Sequence, residues 1–265
     1  MSAGLGPAQE VVVRSSRCFV GVLFVFLFVS ASVVPGRAAD VPLTSVETVL
    51  ACALPPSIDP PPAGALRVVG AQDTALRLLY GPRDLLVVDA GTSRNMKLGE
   101  QFFVRRTDWF GPAGSGQPRT VRTAGWVKIV AVNDTTSIAT VEHSCTGIMQ
   151  GDYLEPFVTP AVPPNFNRAD TSGDLDFKDL GRIGFGERLR TNAGIGEFML
   201  IDRGADQGAD PGSRFAIYRD LHKDGLPLAA IGEAVVVSAS PSLAVVRIQS
   251  ARDTVVRGDF VVPRK

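Results

Sequence analysis

The feature that most constrains this chain is an internal repeat. Asp89, Gly91, Gly99, Phe102 and Arg106 recur as Asp202, Gly204, Gly212, Phe215 and Arg219 with a constant offset. After an insertion, Gly125, Gly151, Asp152 and Pro156 recur as Gly232, Gly258, Asp259 and Pro263. Two copies in one order imply one supersecondary plan used twice. The 265 residues leave room for two such units of about 70 to 100 residues each.

Each copy reads as short apolar strands divided by turn residues. In the earlier copy Leu85–Val88 is closed by Asp89-Ala90-Gly91, and Gln101–Arg106 follows the turn at Gly99. Residues 107–123, rich in Gly, Pro and Thr, read as a loop. Gly125–Val132, Ile138–Glu142 and Gly151–Leu154 complete the copy. The later copy has Phe198–Ile201, Arg214–Arg219, Ile231–Val237, Leu243–Ile248 and Asp259–Val262, with Asp224-Gly225 as a hairpin signal. Strands about ten residues apart with turns between them predict a small antiparallel barrel or sandwich in each copy. The high content of glycine (27) and proline (19) suits that reading and not long helices.

The flanks divide the rest. Residues 1–38 have the three-part plan of an export signal: Arg14 and Arg17, the apolar run Cys18–Val34, and a cleavage site after Ala38. An uncleaved anchor is the alternative. Residues 39–65 combine a short helix, Ser45–Leu54, with a stiff linker around Pro60–Pro62. The modules are expected at 66–157 and 183–265. A Pro/Asp-rich linker, 158–182, lies between them, and the modules are expected to flex about it unless their aromatics meet.

Export implies an oxidising compartment. It leaves Cys52 and Cys145 either joined in one disulfide or separately buried as thiols. Lys+Arg and Asp+Glu balance at 27 each, so there is no electrostatic footprint for nucleic acid. The two histidines, His143 and His222, lack neighbours at metal-site spacing and read as surface residues. His143 with Cys145 lacks the orienting group and oxyanion hole of a nucleophilic pair. In Asp170, Asp174, Asp176 and Asp179 the glycine an EF-hand needs is out of place, so a solvated linker is favoured over a weak calcium site. No metal or cofactor is expected.

Gly91, Gly99, Gly151, Gly204, Gly212 and Gly258 sit at strand boundaries where turns use positive φ. Asp152 and Asp259 are expected to accept local backbone N–H bonds in tight turns. Phe102, Phe103, Trp126, Phe215 and Tyr218 read as core or inter-module packing. Trp109 and Phe110, at the start of the long loop, are the candidate exposed binding surface.

The repeated pattern is Asp-x-Gly, then Gly and Phe, then a strand ending in Arg, later joined by Gly-Asp-x-x-x-Pro. It resembles the C-terminal domain of the flagellar assembly protein T family, and the related domains that accompany LysM modules in exported bacterial proteins. The resemblance covers about 66–157 and 183–263. It implies an SH3-like small barrel that acts structurally or in binding in the periplasm, without catalysis, and it carries over no site. The expectation is therefore an all-β chain of two tandem small antiparallel SH3-like barrels after an N-terminal signal. Such a chain serves as a non-catalytic structural or protein-binding module of the cell envelope. Its partner is expected to be another envelope protein, with peptidoglycan or polysaccharide binding as the alternative and a hydrolase with an unrecognised site behind both. The membrane enters only through the N-terminal segment, if that is uncleaved.

Overall fold

A computed structural model describes residues 42–74, 77–109, 119–222 and 225–265, with Trp109 and Arg119 described by their backbone alone. The expected signal, Phe110 and Asp224 lie outside the described residues. Among the described residues no helix is long and apolar enough to cross a membrane.

The chain is mostly β. After α1 (Ser45–Cys52) come β1 (Val68–Ala71), β2 (Leu85–Val88), β3 (Gln101–Trp109), β4 (Arg119–Val132), β5 (Ser137–Ser144) and β6 (Tyr153–Pro156). The second half holds β7 (Gly181–Gly186), β8 (Asn192–Ala193), β9 (Phe198–Ile201), β10 (Arg214–Arg219), β11 (Ala229–Ala239), β12 (Ala244–Ala251), β13 (Val255–Val256) and β14 (Phe260–Arg264).

The first half is a six-stranded antiparallel sheet in the order β1-β2-β5-β4-β3-β6, and the second a closed barrel in the order β7-β9-β12-β11-β10-β14. The barrel closes where Phe260 pairs with Arg182 and Val261 with Gly181. The edges of the first sheet approach in the same place through the isolated bridge Arg67–Tyr153. There Val68 N–H donates to Asp152 O (2.9 Å) and Leu154 N–H to Leu66 O (2.8 Å). A smaller ladder also recurs: β8 pairs with β13 through Ala193 and Val255, and Tyr80 bridges Ile148.

Alternation along the strands sends one face inward. Val68, Leu86, Val88, Val104, Ile129 and Val141 fill the first core, and Ile183, Met199, Ile201, Ile217, Val236 and Ile248 fill the second. Phe102 and Phe215 occupy matching places in the two cores.

Two expectations change. The loop read over 107–123 is shorter, because β3 runs on to Trp109 and β4 begins at Arg119, with Thr107 opposite Val121 and Asp108 opposite Thr120. The Thr-rich stretch that looked like loop is good strand material once paired. The flexing expected about 158–182 is also replaced by contacts, since 42–265 forms one compact unit.

Much of that contact comes from α1. Its start is fixed by a capping box, with Thr44 N–H donating to Glu47 Oε2 (2.7 Å) and Glu47 N–H to Thr44 Oγ1 (3.2 Å). It ends in extended backbone at Ala53, ahead of Pro55 and Pro56. Leu50, with Leu54 just beyond the helix, packs on Phe166 of the intervening segment and on Leu200, Val237 and Val245 of the second half, while Ala51 packs on Phe103 and Trp126 of the first. Burying leucines of this kind contributes about 1.5–3 kcal/mol each.

Candidate functional site

The repeated charged residues build the same lock in each half. Asp152 is almost fully buried and accepts from Arg106 Nε (2.6 Å), Arg106 Nη2 (2.5 Å) and the Met149 N–H (2.8 Å). Asp259 accepts from Arg219 Nε and Nη2 and from the Val256 N–H, all at 2.8 Å. Each carboxylate therefore caps the turn that precedes the last strand and ties it to the outer part of β3 or to the end of β10. Bidentate guanidinium–carboxylate pairing of this kind is both strong and directional. The expected local N–H bond is present, and the buried arginine partner is what the turn reading missed. The constant-offset match of Arg106 with Arg219 was the signal that could have found it.

A second pair of acids serves the seam. Asp89 Oδ1 accepts from the Arg67 N–H and Asp202 Oδ1 from the Arg182 N–H, both at 2.6 Å. The same arginines donate through Nη1 to Gly151 O (2.7 Å) and Gly258 O (2.8 Å). Gly151 and Gly258 have φ of 92° and 93°, and Gly99 and Gly212 have 85° and 94°, as the turn reading expects. Gly91 and Gly204 differ. Their φ values are negative. A Cβ on Gly91 would lie 2.3 Å from Asn133 O, and one on Gly204 2.4 Å from Ser240 O. Close backbone approach, not positive φ, requires glycine there.

Cys52 and Cys145 are joined in a disulfide, with Cα atoms 5.6 Å apart. It fastens the end of α1 to the residue after β5. Beside it the His143 ring stacks on Trp126 with centroids 4.5 Å apart. Among the described residues Cys52, His143 and Cys145 form the one group of metal-ligand types gathered within 4.8 Å. Sulfurs bonded to each other supply no thiolate for a metal or for nucleophilic attack. His222 is exposed, with Nδ1 3.4 Å from Asp220 Oδ2.

Arg105 joins α1 to the first sheet. Its Nε donates to Glu155 Oε2 (3.0 Å), its Nη1 to Thr123 Oγ1, and the Thr123 hydroxyl to Ala53 O (2.9 Å). Burial pulls this guanidinium below its usual value, against the opposing pull of Glu155. Phe103, Arg105, Pro160, Pro211 and Val237 help line a cleft of about 440 Å³ where the two halves meet. Phe103 therefore lies at a shared boundary, which is the condition under which flexing was not expected.

The outer face of each half shows why neighbours differ. Trp126 and Phe157 meet with centroids 5.7 Å apart under α1. In the corresponding strands of the second half stand Glu233 and Arg264, paired at 2.7 and 2.9 Å. There the crossing chain is 170–176. Leu175 bridges Arg264, and the Asp176 N–H donates to Pro263 O (3.1 Å).

This acidic segment is not simply solvated. Asp170 pairs with Arg214 (2.5 Å), Asp176 with Lys265 (2.6 Å) and Asp179 with Arg203 (3.1 Å). These carboxylates are held apart by separate cations rather than converging on one point. Bonds from Ser172 hold the Asp170 carboxyl below the usual range, and bonds from Lys265 and the Lys178 N–H do the same for Asp176. Trp109 ends β3 at the far end of the long hairpin, and its side chain, like Phe110, lies outside the described residues.

No protein-family model matches the chain, and no curated protein matches it either.

Proposed function

We propose that the chain is a non-catalytic protein of the cell envelope, built from two copies of one small SH3-like barrel and acting as a structural or protein-binding module. The observation that carries this reading is the recurrence of the Asp–Arg lock. Asp152 with Arg106, and Asp259 with Arg219, spend their buried charges on holding a turn to a strand. The common strand order and the matching seam contacts of Arg67 and Arg182 support one barrel plan in both halves. The Cys52–Cys145 disulfide supports an extracytoplasmic address, since such bonds persist in oxidising compartments. On this reading residues 1–38 are the export signal, and Trp109, where β3 ends, with Phe110 next to it in the sequence is the surface that meets the partner.

The test separates a protein partner from a glycan one. The chain, purified as the cell produces it, is sedimented with insoluble peptidoglycan and, in parallel, fractionated with its own envelope. A chain that stays in the supernatant with peptidoglycan but runs in a larger, protease-sensitive complex from the envelope supports the reading. Saturable sedimentation with peptidoglycan alone replaces it with glycan binding.

A further inference from the structure

The β3–β4 hairpin carries an unusual set of charges. Arg106 and Arg122 stand directly across from each other, and Asp108 lies two pairs further out, opposite Thr120. Like charges in directly opposed positions repel unless something between them compensates. Arg106 is neutralised by Asp152. Among the described residues Arg122 forms its ion pair with Asp108, Nε lying 3.3 Å from Oδ2, and neither atom makes a hydrogen bond of good geometry.

A third arginine arrives from the other half. The 3-10 turn Glu187–Leu189 follows β7 and packs on the β3–β4 hairpin. Arg188 and Leu189 are both left-handed there, with φ of 56° and 57°. Non-glycine residues hold that conformation at a cost of about 1 kcal/mol or more each, which the surroundings must offset. The result places Arg188 beside Arg106, Arg122, Asp108 and Thr146 on the wall of one open cleft of about 440 Å³.

The cleft is short of acceptors. Three guanidiniums and a single carboxylate line it. Arg122 is only 9 % exposed, and its Nε is buried with no hydrogen-bond partner. The Thr146 hydroxyl is buried and unpartnered too. Of the other nearby acids, Asp152 spends both oxygens on Arg106 and Met149, and Glu187 lines a different cavity with Cys52 and Arg190 while exerting a weaker attraction on Arg122. Burial pulls the Arg122 guanidinium below its usual value, with Asp108 and, less strongly, Glu187 opposing, and Arg106 and Arg188 add to the lowering. Unmatched donors around excess positive charge are the complement of an oxygen-rich anion.

We propose that this cleft binds a small oxyanion, a phosphate or carboxylate group, held by Arg106, Arg122, Arg188 and the Thr146 hydroxyl. The anion supplies the missing acceptors to Arg122 and Thr146 and joins the two halves of the chain through Arg188. The proposal is independent of the envelope function, since it rests on the cleft alone.

The test is calorimetric titration of the chain in low-chloride buffer with inorganic phosphate and, separately, with acetate. Arg188→Gly is the informative variant. It removes the guanidinium, and glycine accepts the left-handed backbone, so folding is expected to be retained or improved. Saturable binding of either anion, weakened about tenfold or more in Arg188→Gly and less in Arg188→Lys, is the expected result. The tighter of the two probes identifies the group. Absence of saturable binding to both anions overturns the proposal, and so does unchanged affinity in an Arg188→Gly variant of normal thermal stability.

Discussion

Replacing Asp152 or Asp259 by alanine removes the same three hydrogen bonds from two different surroundings. Asp152 takes two bonds from Arg106 and one from the Met149 N–H, and Asp259 takes two from Arg219 and one from the Val256 N–H. Breaking a buried ion pair from one side costs about 3–5 kcal/mol, because the partner charge is left behind. The partners differ in how well they are rescued. Arg106 is 14 % exposed and, among the described residues, keeps one hydrogen bond, to the Gly147 carbonyl. Arg219 is 22 % exposed and keeps Asp253 at 2.9 Å and Thr254 O at 2.6 Å. Asp152→Ala should therefore cost about 4 kcal/mol and Asp259→Ala about 3 kcal/mol. Urea unfolding measures both. The chain's two tryptophans, Trp109 and Trp126, lie in the first half, so fluorescence follows Asp152→Ala and near-ultraviolet dichroism follows the second half. In the double variant Asp152→Ala/Arg106→Ala the loss should be less than additive by about 2 kcal/mol. Losses below about 1 kcal/mol at both sites would refute the claim that these pairs hold the fold, and a larger loss at Asp259 than at Asp152 would refute the role given to Asp253.

Other consequences can be checked singly. Reducing the Cys52–Cys145 bond, or making Cys52→Ser/Cys145→Ser, should cost about 4.6 kcal/mol by the chain entropy of its 93-residue separation; a midpoint unchanged by reductant contradicts this. A Cβ on Gly232 would sit 2.0 Å from the Ser250 carbonyl oxygen, whereas one on Gly70 meets open space. Gly232→Ala should thus lose about 2 kcal/mol or more while Gly70→Ala stays within about 0.5 kcal/mol, and equal effects would remove the close-approach argument. Burial, with Glu155 adding to it, pushes the Tyr153 hydroxyl up to about 12. Because the folded state holds this proton more tightly than the unfolded one, stability should fall as pH rises from about 10 to about 12. Absorbance at alkaline pH should show a late tyrosine transition that Tyr153→Phe abolishes; a transition that survives in the variant belongs to another residue.

What could be read from the sequence was what local chemistry dictates. Asp152, Asp259 and the turn glycines announce themselves because few residue types suit those backbone positions, and Phe102 and Phe215 because each sits in a short apolar strand. The capping pair Thr44 and Glu47 frames a helix that ends at Cys52, two residues before the expected limit. Long-range pairing was not readable. Nothing in residues 158–182 shows that Asp170 and Asp176 will find Arg214 and Lys265, so a pinned segment looked like a solvated linker. The two-sided packing of α1 is hidden for the same reason, because a helix of eight residues has too few turns to display two apolar faces. Arg122 and Arg188 belong to no motif. They meet only because the turn after β7 folds against the first sheet.

The measurement that bears most directly on the proposed function is in-cell crosslinking of the chain in its own envelope, followed by identification of the captured species. It should be run with the wild type and with Trp109→Ala/Phe110→Ala, each checked for an intact Cys52–Cys145 bond and native unfolding midpoint. The account predicts one reproducible envelope protein, captured by the wild type and lost from the folded double variant. Capture that is the same in both contradicts the placement of the binding surface, and a folded, exported wild type that captures no protein at all contradicts the binding-module reading itself.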